Sequence, residues 1–261
     1  MKQILTLIFV LAIFSLNAQL PFKVIAVNGE IIATKANVTL QNGVEVYSDD
    51  NFDFVKPNSR AAMINSEKGR IVLTQQNAAD AFSKAAFAPA ISAVSSRSGS
   101  MVSQSDLKNF FGDKLLVIDK LDVEIGADLY PMSDDAFFFV RYSYNGETIN
   151  KRLPFSANVL TIKKDDIFAV DGTPIEIPEG ELNLYYYKKG TETPESVLVS
   201  SFSAIFVNSN QIKPEVELIV SEFKGKPQDF ILGQVYDYLT SFYGSIDKKT
   251  LEGWMKTEFG I

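Results

Sequence analysis

The sequence predicts a mainly β protein of the α+β class: a small antiparallel β module, a linker, a β-sandwich and a C-terminal helical hairpin. Three observations predict this fold class. Short runs of alternating apolar and polar residues, separated by Asn-Gly and Asp-Gly turn signals, cover most of the chain. A stripe of apolar residues at helical spacing lies near the C-terminus. The chain has 261 residues and no cysteine, so packing alone must hold it together.

Residues 1–18 form the first element, a predicted export signal. Lys2 is followed by an apolar core from Ile4 to Leu16, and Ala18 precedes the expected mature N-terminus at Gln19. The apolar core is shorter than the about 20 residues that a membrane span requires. We therefore expect an exported protein of the periplasm or of the cell surface, with no transmembrane span in the mature chain.

Residues 22–75 are predicted to form a compact antiparallel β module. Asn28-Gly29 and Asn42-Gly43 each stand between two short apolar runs. Asn-Gly at such a place predicts a hairpin, because a type I′ turn needs positive φ at both central residues. Glu67-Lys68-Gly69 is expected to join a further pair of strands.

Four segments of this module follow a definite order of glycine turns and strands: Val27–Ile31, Leu40–Val44, Ser59–Ile64 and Lys68–Leu73. This order resembles the periplasmic β module of FecR-type proteins, and the resemblance covers about a fifth of the chain. It implies an extracytoplasmic β fold. The chain departs from the family because it has neither the cytoplasmic anti-sigma segment nor the transmembrane helix before the module. A sensor role would therefore require a membrane partner.

Residues 76–112 change character. Asn77–Ala88 is rich in alanine, which predicts a helix that ends at Pro89. Ile91–Ser105 is rich in serine and predicts a flexible linker or a long loop. A short helix is expected over Asp106–Phe111, capped by one of the serines before it.

Residues 113–223 are predicted to form a β-sandwich, because many short strands alternate with turn signals such as Asn145-Gly146. Ala136–Val140 is apolar on both faces, which predicts a central strand buried on both sides. Val216–Val220 is interpreted as the last strand.

Residues 224–261 are predicted to form a helical hairpin, whose first helix carries an apolar stripe at positions i, i+4, i+8 and i+11. A second, shorter stripe contains the single tryptophan. These stripes are the best sequence candidate for a partner-binding surface, and they are equally suited to closing the core of the sandwich. The candidate residues are Ile231, Val235, Leu239, Phe242 and Trp254.

The composition excludes several kinds of chemistry. Without histidine and cysteine there is no Ser-His-Asp or Cys-His nucleophile system, and no ordinary zinc, haem or iron–sulfur site. The formal net charge of −7 argues against nucleic acid and anionic lipid as ligands. No cofactor is predicted, apart from calcium as an alternative to a solvated turn at the oxygen-rich segment Ser48–Asp53.

Three other arrangements carry a functional and a structural interpretation. Ser-x-x-Lys occurs at Ser105–Lys108 and Ser245–Lys248, where it is either a nucleophile with its base or a helix cap. Paired carboxylates suit glycoside hydrolysis or a solvent-exposed surface. Phe137–Phe139 and Tyr185–Tyr187 suit either an aromatic platform for sugars or peptides, or core and cross-strand packing. Strand alternation sends Tyr186 to the face opposite its two neighbours.

These observations favour an exported, non-catalytic protein that binds or scaffolds another envelope or surface protein. Two alternatives stay open. One is a periplasmic hydrolase that uses carboxylates or a Ser-Lys pair, and the other is an extracytoplasmic sensor module that acts with a membrane partner.

Overall fold

The computed structural model describes residues 21–94, 103–170, 172–178, 180–190 and 193–261. The predicted export signal lies outside these residues and stays a prediction. The described chain divides into two compact units, the first ending at Phe87 and the second beginning at Ala88. It is mainly β with helices concentrated towards the C-terminus, which confirms the predicted fold class. Among the described residues, no helix has the length and apolar character of a membrane span.

The first unit contains two small antiparallel sheets around one core. Its strands are β1 (Phe22–Asn28), β2 (Ile31–Ala33), β3 (Val38–Thr39), β4 (Glu45–Val46), β5 (Phe52–Phe54), β6 (Arg60–Asn65) and β7 (Gly69–Thr74). One sheet has the order β4-β1-β6-β7 and the other the order β3-β2-β5. Apolar side chains from both sheets share the core, among them Val24, Ile31 and Leu73.

Two of the three turns predicted in this unit do not form hairpins. Asn28-Gly29 leads from β1 into β2, but β1 pairs with β4 and β6, whereas β2 pairs with β3 and β5. Asn42-Gly43 likewise connects strands of different sheets. Beyond the first turn, the Glu30 N–H donates to Ser59 Oγ at 2.9 Å, so the chain crosses between the sheets there. The third turn, Glu67-Lys68-Gly69, joins β6 and β7 as predicted.

The helix predicted over Asn77–Ala88 is wrong. The structure has a series of turns and a single 3-10 turn, Ala81–Lys84, without a side-chain cap. Helix propensity is overridden here by contacts with β7, because the Asn77 side chain makes two hydrogen bonds to the backbone of that strand. Ala86 then pairs with Arg70 of the same strand, which keeps the end of the segment extended.

The second unit combines two larger sheets with helices. Its strands are β8 (Lys114–Ile118), β9 (Lys120–Glu124), β10 (Ala136–Tyr144), β11 (Glu147–Arg152), β12 (Phe155–Ser156), β13 (Val159–Lys163), β14 (Ala169–Val170), β15 (Thr173–Pro174), β16 (Leu182–Lys188) and β17 (Glu195–Val207). Its helices are α1 (Gln104–Phe111), α2 (Lys164–Ile167), α3 (Ser209–Glu222), α4 (Gln228–Phe242) and α5 (Lys248–Phe259), and a 3-10 turn covers Ile91–Ala93.

The five-stranded and three-stranded sheets of this unit share one core, as expected for the predicted sandwich, and β14 and β15 form a separate two-stranded ribbon. The larger sheet has the order β11-β10-β16-β17-β8 and the smaller the order β12-β13-β9. Phe138 of the larger sheet and Leu160 of the smaller one belong to the same buried cluster. The five-stranded sheet is not wholly antiparallel, because β17 and β8 run parallel. Helix α1 closes this core by stacking Phe111 on Phe202, with the ring centroids 4.7 Å apart.

The strand predicted at Val216–Val220 is wrong, because these residues lie in α3. Asn208 and Gln211 form a reciprocal capping box that starts the helix. Ile212, Val216 and Ile219 then follow at helical spacing and are buried. The sandwich therefore ends with β17, and the predicted helical hairpin, which the structure confirms as α4 and α5, is preceded by a third helix.

Candidate functional site

The predicted partner-binding stripe is buried within the second unit. Ile231 and Phe242 are 5% and 3% exposed, and Val235 and Leu239 are fully buried. Trp254 is half-buried, and its indole N–H donates to Ser209 Oγ at 2.8 Å. The burial of the stripe on α4 favours the alternative interpretation, in which these residues close the core, and the partner surface stays a prediction.

Hydrogen bonds join α4 and α5 to the first segment of the same unit. The side chain of Gln234, which is fully buried, pairs with the backbone of Ala88: Nε2 donates to its oxygen at 2.8 Å and Oε1 accepts from its N–H at 3.0 Å. Asp229 accepts two hydrogen bonds from Ser92. Lys248 Nζ donates to the Ile91 oxygen at 2.9 Å. We call this set of hydrogen bonds the helix clamp.

The second Ser-x-x-Lys sequence, Ser245–Lys248, contributes its lysine to the helix clamp. Lys248 is held by backbone oxygens, whereas Ser245 Oγ donates to the Lys114 oxygen at 2.8 Å. The two side chains are thus bonded to different groups. In the first copy, Ser103 caps α1, and Lys108 is exposed. The helix caps are Ser103 for α1 and Asp247 for α5, so neither Ser105 nor Ser245 is the predicted cap. The separate bonding of Ser245 and Lys248 gives no support to the nucleophile interpretation.

The acidic candidates lie at turns and on solvent-exposed strands. In the Ser48–Asp53 segment, Asp49 accepts a hydrogen bond from the Lys35 ammonium, which lowers the pKa of the Asp49 carboxyl. Asp50 Oδ1 accepts from the backbone N–H of Lys35 and of Asn51. Throughout the described ranges, no group of three or more acidic residues is arranged to hold a metal ion.

The outer face of the five-stranded sheet is the strongest candidate site. Alternation places Tyr186 on the face opposite Tyr185 and Tyr187, as predicted, and the structure shows that this face is the core side. Phe138 and Tyr186 both lie in the core, where the Tyr186 hydroxyl donates to the Pro131 oxygen at 2.6 Å. Their neighbours on both strands therefore point to the opposite face, away from that core. We call the outward set the aromatic–arginine face, which comprises Phe137, Phe139, Arg141, Arg152, Tyr185 and Tyr187.

Cross-strand register builds two aromatic pairs on this face. Phe137 lies opposite Tyr187 and Phe139 opposite Tyr185. The ring centroids of the first pair are 4.8 Å apart, and those of the second pair are 5.2 Å apart with an interplanar angle of 10°. Such pairs contribute about 0.5–1.5 kcal/mol beyond burial. The rings of the second pair therefore turn their flat faces towards each other.

A guanidinium group closes each end of this aromatic row. The Arg141 Cζ lies 4.5 Å from the centroid of Tyr185, and the Arg152 Cζ lies 4.4 Å from that of Phe137. Both distances are well within the range of a cation–π contact. Arg152 also donates to Asp134 at 3.0 Å, whereas Arg141 donates from Nε to the neutral side chain of Asn150 at 2.8 Å.

The same register shows that no acidic residue occupies an outward position on β10, β11, β16 or β17, although Asp134, in the turn before β10, pairs with Arg152. The other outward positions on the four strands β10, β11, β16 and β17 carry serine, threonine, asparagine, one leucine and, towards the end of β17, Ile205 and Val207. The leucine is Leu198, which lies opposite Tyr185 and is 45% exposed. Its neighbour Val197 is 50% exposed but lies opposite Tyr186, so it belongs to the other face of the sheet. In a chain of net charge −7, this face is locally positive and partly apolar.

A second polar cluster lies among the helices. The Glu215 carboxylate on α3 accepts hydrogen bonds from the hydroxyls of Tyr238, at 2.5 Å, and Tyr243, at 2.8 Å. Burial raises the pKa of the Glu215 carboxyl, although both hydrogen bonds act in the opposite direction. The cluster ties α3 to α4, so we assign it a structural role with a pH dependence.

Replacing Glu215 by glutamine is expected to stabilise the protein at neutral pH relative to acid pH. A carboxyl whose pKa is raised on folding contributes stability below its unfolded pKa, and this contribution is lost as the pH rises through the folded value. Glutamine removes that loss. Urea unfolding at about pH 4 and about pH 7 measures the difference between variant and wild type.

Two further variants make this prediction specific. Glu217→Gln on the exposed side of the same helix should show no such relative gain. Glu215→Ala should lower the free energy of unfolding by about 1–3 kcal/mol, because it leaves buried hydroxyls without their acceptor. A wild-type stability that gains more than Glu215→Gln as the pH rises would contradict the assignment.

Comparisons with known proteins assign no family to this chain. No protein-family model, no curated protein and no solved structure matches it. The resemblance of residues 22–75 to FecR-type modules therefore stays a prediction, and the function has to be argued from the geometry described above.

Proposed function

We propose that this chain is an exported, non-catalytic binding protein of the cell envelope, and that it recognises a protein partner through the aromatic–arginine face. The observation that carries the proposal is the composition of that face. Phenylalanine, tyrosine and arginine are enriched at the centres of protein interfaces, whereas aspartate, glutamate and lysine are depleted there. The face collects the first set and, among the described outward positions, contains none of the second.

Rigidity of the face supports the same function. The stacked rings and the two guanidinium groups hold each other in place on strands of a five-stranded sheet. Side chains that are already ordered lose little conformational freedom when a partner binds. Leu198, which lies opposite Tyr185 and is about half exposed, extends the contact surface with apolar area next to the rings.

The two alternatives stay predictions of the sequence. For the hydrolase, Ser245 and Lys248 are bonded to different backbone oxygens. For the sensor module, a membrane partner that contacted the aromatic–arginine face would make it one case of the proposed function.

Photo-crosslinking tests the proposal in cells that naturally produce the protein. A photoreactive amino acid is placed at Tyr187 or Leu198 on the face, and at the exposed Lys224 as a matched control away from the sheet. We expect a discrete protein adduct in the envelope fraction from the first two positions and not from the third. An excess of unmodified protein should suppress the adduct.

Two results would contradict the proposal. Equal adducts from all three positions would indicate non-specific contact, and the absence of any adduct at both face positions would leave the face without a partner. Recovery of the protein from the cytoplasmic fraction alone would contradict the predicted export.

A further inference from the structure

We infer that the partner presents an acidic polypeptide segment to the aromatic–arginine face, and that the Arg141 guanidinium receives one of its carboxylates. The inference rests on the proposed function and specifies its chemistry. It follows from the charge of the face, from the free donors of Arg141 and from the orientation of the aromatic rings.

The charge of the face is opposite to that of the chain. Two arginines and no described acidic residue occupy the outward positions of four neighbouring strands. The chain as a whole carries an excess of seven negative charges. Complementary charge steers association and fixes register, and like charges at an interface are unfavourable. A basic face on an acidic protein therefore selects an acidic partner.

The two arginines differ in what they still offer. Arg152 is paired with Asp134, so an acidic group of the protein itself compensates its charge. Within the described chain, the hydrogen bond of Arg141 leaves from Nε to the oxygen of Asn150, which is neutral. A guanidinium has five N–H donors. The terminal nitrogens of Arg141 thus keep the fork geometry that a carboxylate accepts in two parallel bonds.

The guanidinium of Arg141 is also held in position before any partner arrives. It lies 4.5 Å from the centroid of Tyr185 and 5.7 Å from that of Phe139, and Asn150 fixes its Nε end. Stacking on an aromatic ring is a property of arginine that lysine does not reproduce. An arginine that is already ordered loses less freedom on binding than one that moves in solvent.

The orientation of the rings favours a polypeptide over a sugar. Phe139 and Tyr185 face each other with 10° between their planes, and Arg141 covers Tyr185. On these two rings, flat faces that a sugar would stack on are therefore already in contact with protein groups. Ring edges, which carry partial positive charge, suit carboxylates instead. Leu198 beside the rings suits the apolar side chains of a peptide.

Nuclear magnetic resonance tests the inference on the mature protein labelled with nitrogen-15. The probes are a synthetic peptide of alternating glutamate and leucine, the same peptide with glutamine for glutamate, and oligogalacturonate as a carboxylate-bearing sugar. We expect a saturable shift of the Arg141 Nε–Hε signal with the glutamate peptide only. Arg141→Gln should weaken the binding of that peptide about tenfold, because one hydrogen-bonded charge pair is lost.

Matched variants separate this site from general charge attraction. Lys224→Gln changes the net charge equally at an exposed position and should leave the affinity unchanged. Arg141→Lys keeps the charge but not the fork, so it should bind the peptide with intermediate affinity. Thermal unfolding of each variant confirms that the fold is retained.

The outcomes distinguish this inference from the proposed function. Equal binding of the glutamine peptide, binding of oligogalacturonate alone, or equal weakening by Lys224→Gln would overturn the acidic-segment inference. If Tyr187 and Leu198 still crosslink a partner in Arg141→Gln at full yield, the proposed function stands and the inference fails. If those positions yield no adduct in the wild-type protein, the proposed function itself fails.

Discussion

Leu239→Ala is expected to lower the free energy of unfolding of the second unit by about 2–5 kcal/mol, the range for removing a buried leucine side chain. Leu239 is fully buried in α4, between the clamped residues Gln234 and Lys248 in sequence. The cavity that alanine leaves cannot close without moving a helix that is fixed at several points. Urea unfolding followed by circular dichroism measures the loss.

A milder change on the neighbouring helix provides the comparison. Trp254→Phe keeps a half-buried ring and removes only the hydrogen bond to Ser209, so it should lower the stability by about 1 kcal/mol. If Leu239→Ala were as stable as the wild type and lost a partner instead, the stripe would be a binding surface after all. Deleting residues 225–261 should likewise prevent the second unit from folding, rather than leave a folded unit that has lost a partner.

Gly233→Ala is expected to destabilise the second unit by about 1–3 kcal/mol or more, because it overpacks a helix contact. An ideal Cβ at Gly233 would lie 2.1 Å from the Pro89 backbone oxygen, and backbone cannot move aside cheaply there. The substitution would raise helix propensity, so a loss of stability identifies the close approach as its cause. Differential scanning calorimetry measures the change in the transition of the second unit.

Gly253 on α5 is the matched control for this substitution. An ideal Cβ at that exposed position meets nothing within 4 Å. Gly253→Ala should therefore stabilise the protein by about 1 kcal/mol, the difference in helix propensity. Opposite signs for the same chemical change at two helix positions would establish how closely α4 approaches the segment after Ala88, whereas a stabilising Gly233→Ala would contradict it.

Asn-Gly turn signals predicted a hairpin correctly where the two strands beside the turn pair with each other. Asn145-Gly146 forms the predicted hairpin, because both residues have positive φ and β10 and β11 follow directly on either side. Asn28-Gly29 has the same residue types, yet the strands beside it pair with other strands further along the chain. The turn signal was correct as a turn, but strand pairing depends on contacts that no short window contains.

Apolar runs were ambiguous for the same reason. Val216–Val220 fits a buried strand as well as a helix, and only the capping box at Asn208 and Gln211 distinguishes the two. That capping signal was available in the sequence and was missed. The helix predicted over Asn77–Ala88 failed differently, because hydrogen bonds from Asn77 to β7 outweigh alanine propensity.

The candidate site was predictable only in part. Alternation correctly separated Tyr186 from Tyr185 and Tyr187, but only the structure shows that the side of Tyr186 is the core. Their partners could not be derived, because Phe137 and Phe139 come opposite them through a register set by the whole sheet. Arg141 and Arg152 could not be predicted as site residues, because an isolated arginine on a strand carries no distinguishing signal in the sequence.

The helix clamp has a consequence for the order in which the protein folds. Gln234 binds Ala88 across 146 residues, and Lys248 binds Ile91 across 157 residues. Contacts of such high sequence separation slow folding, because the loop between them must close before they form. If the chain is exported from its N-terminus as predicted, the first residues of the second unit cross the membrane early. The residues of α4 and α5 that bind them cross last. The second unit therefore reaches its native state only after the final helix, α5, has crossed the membrane.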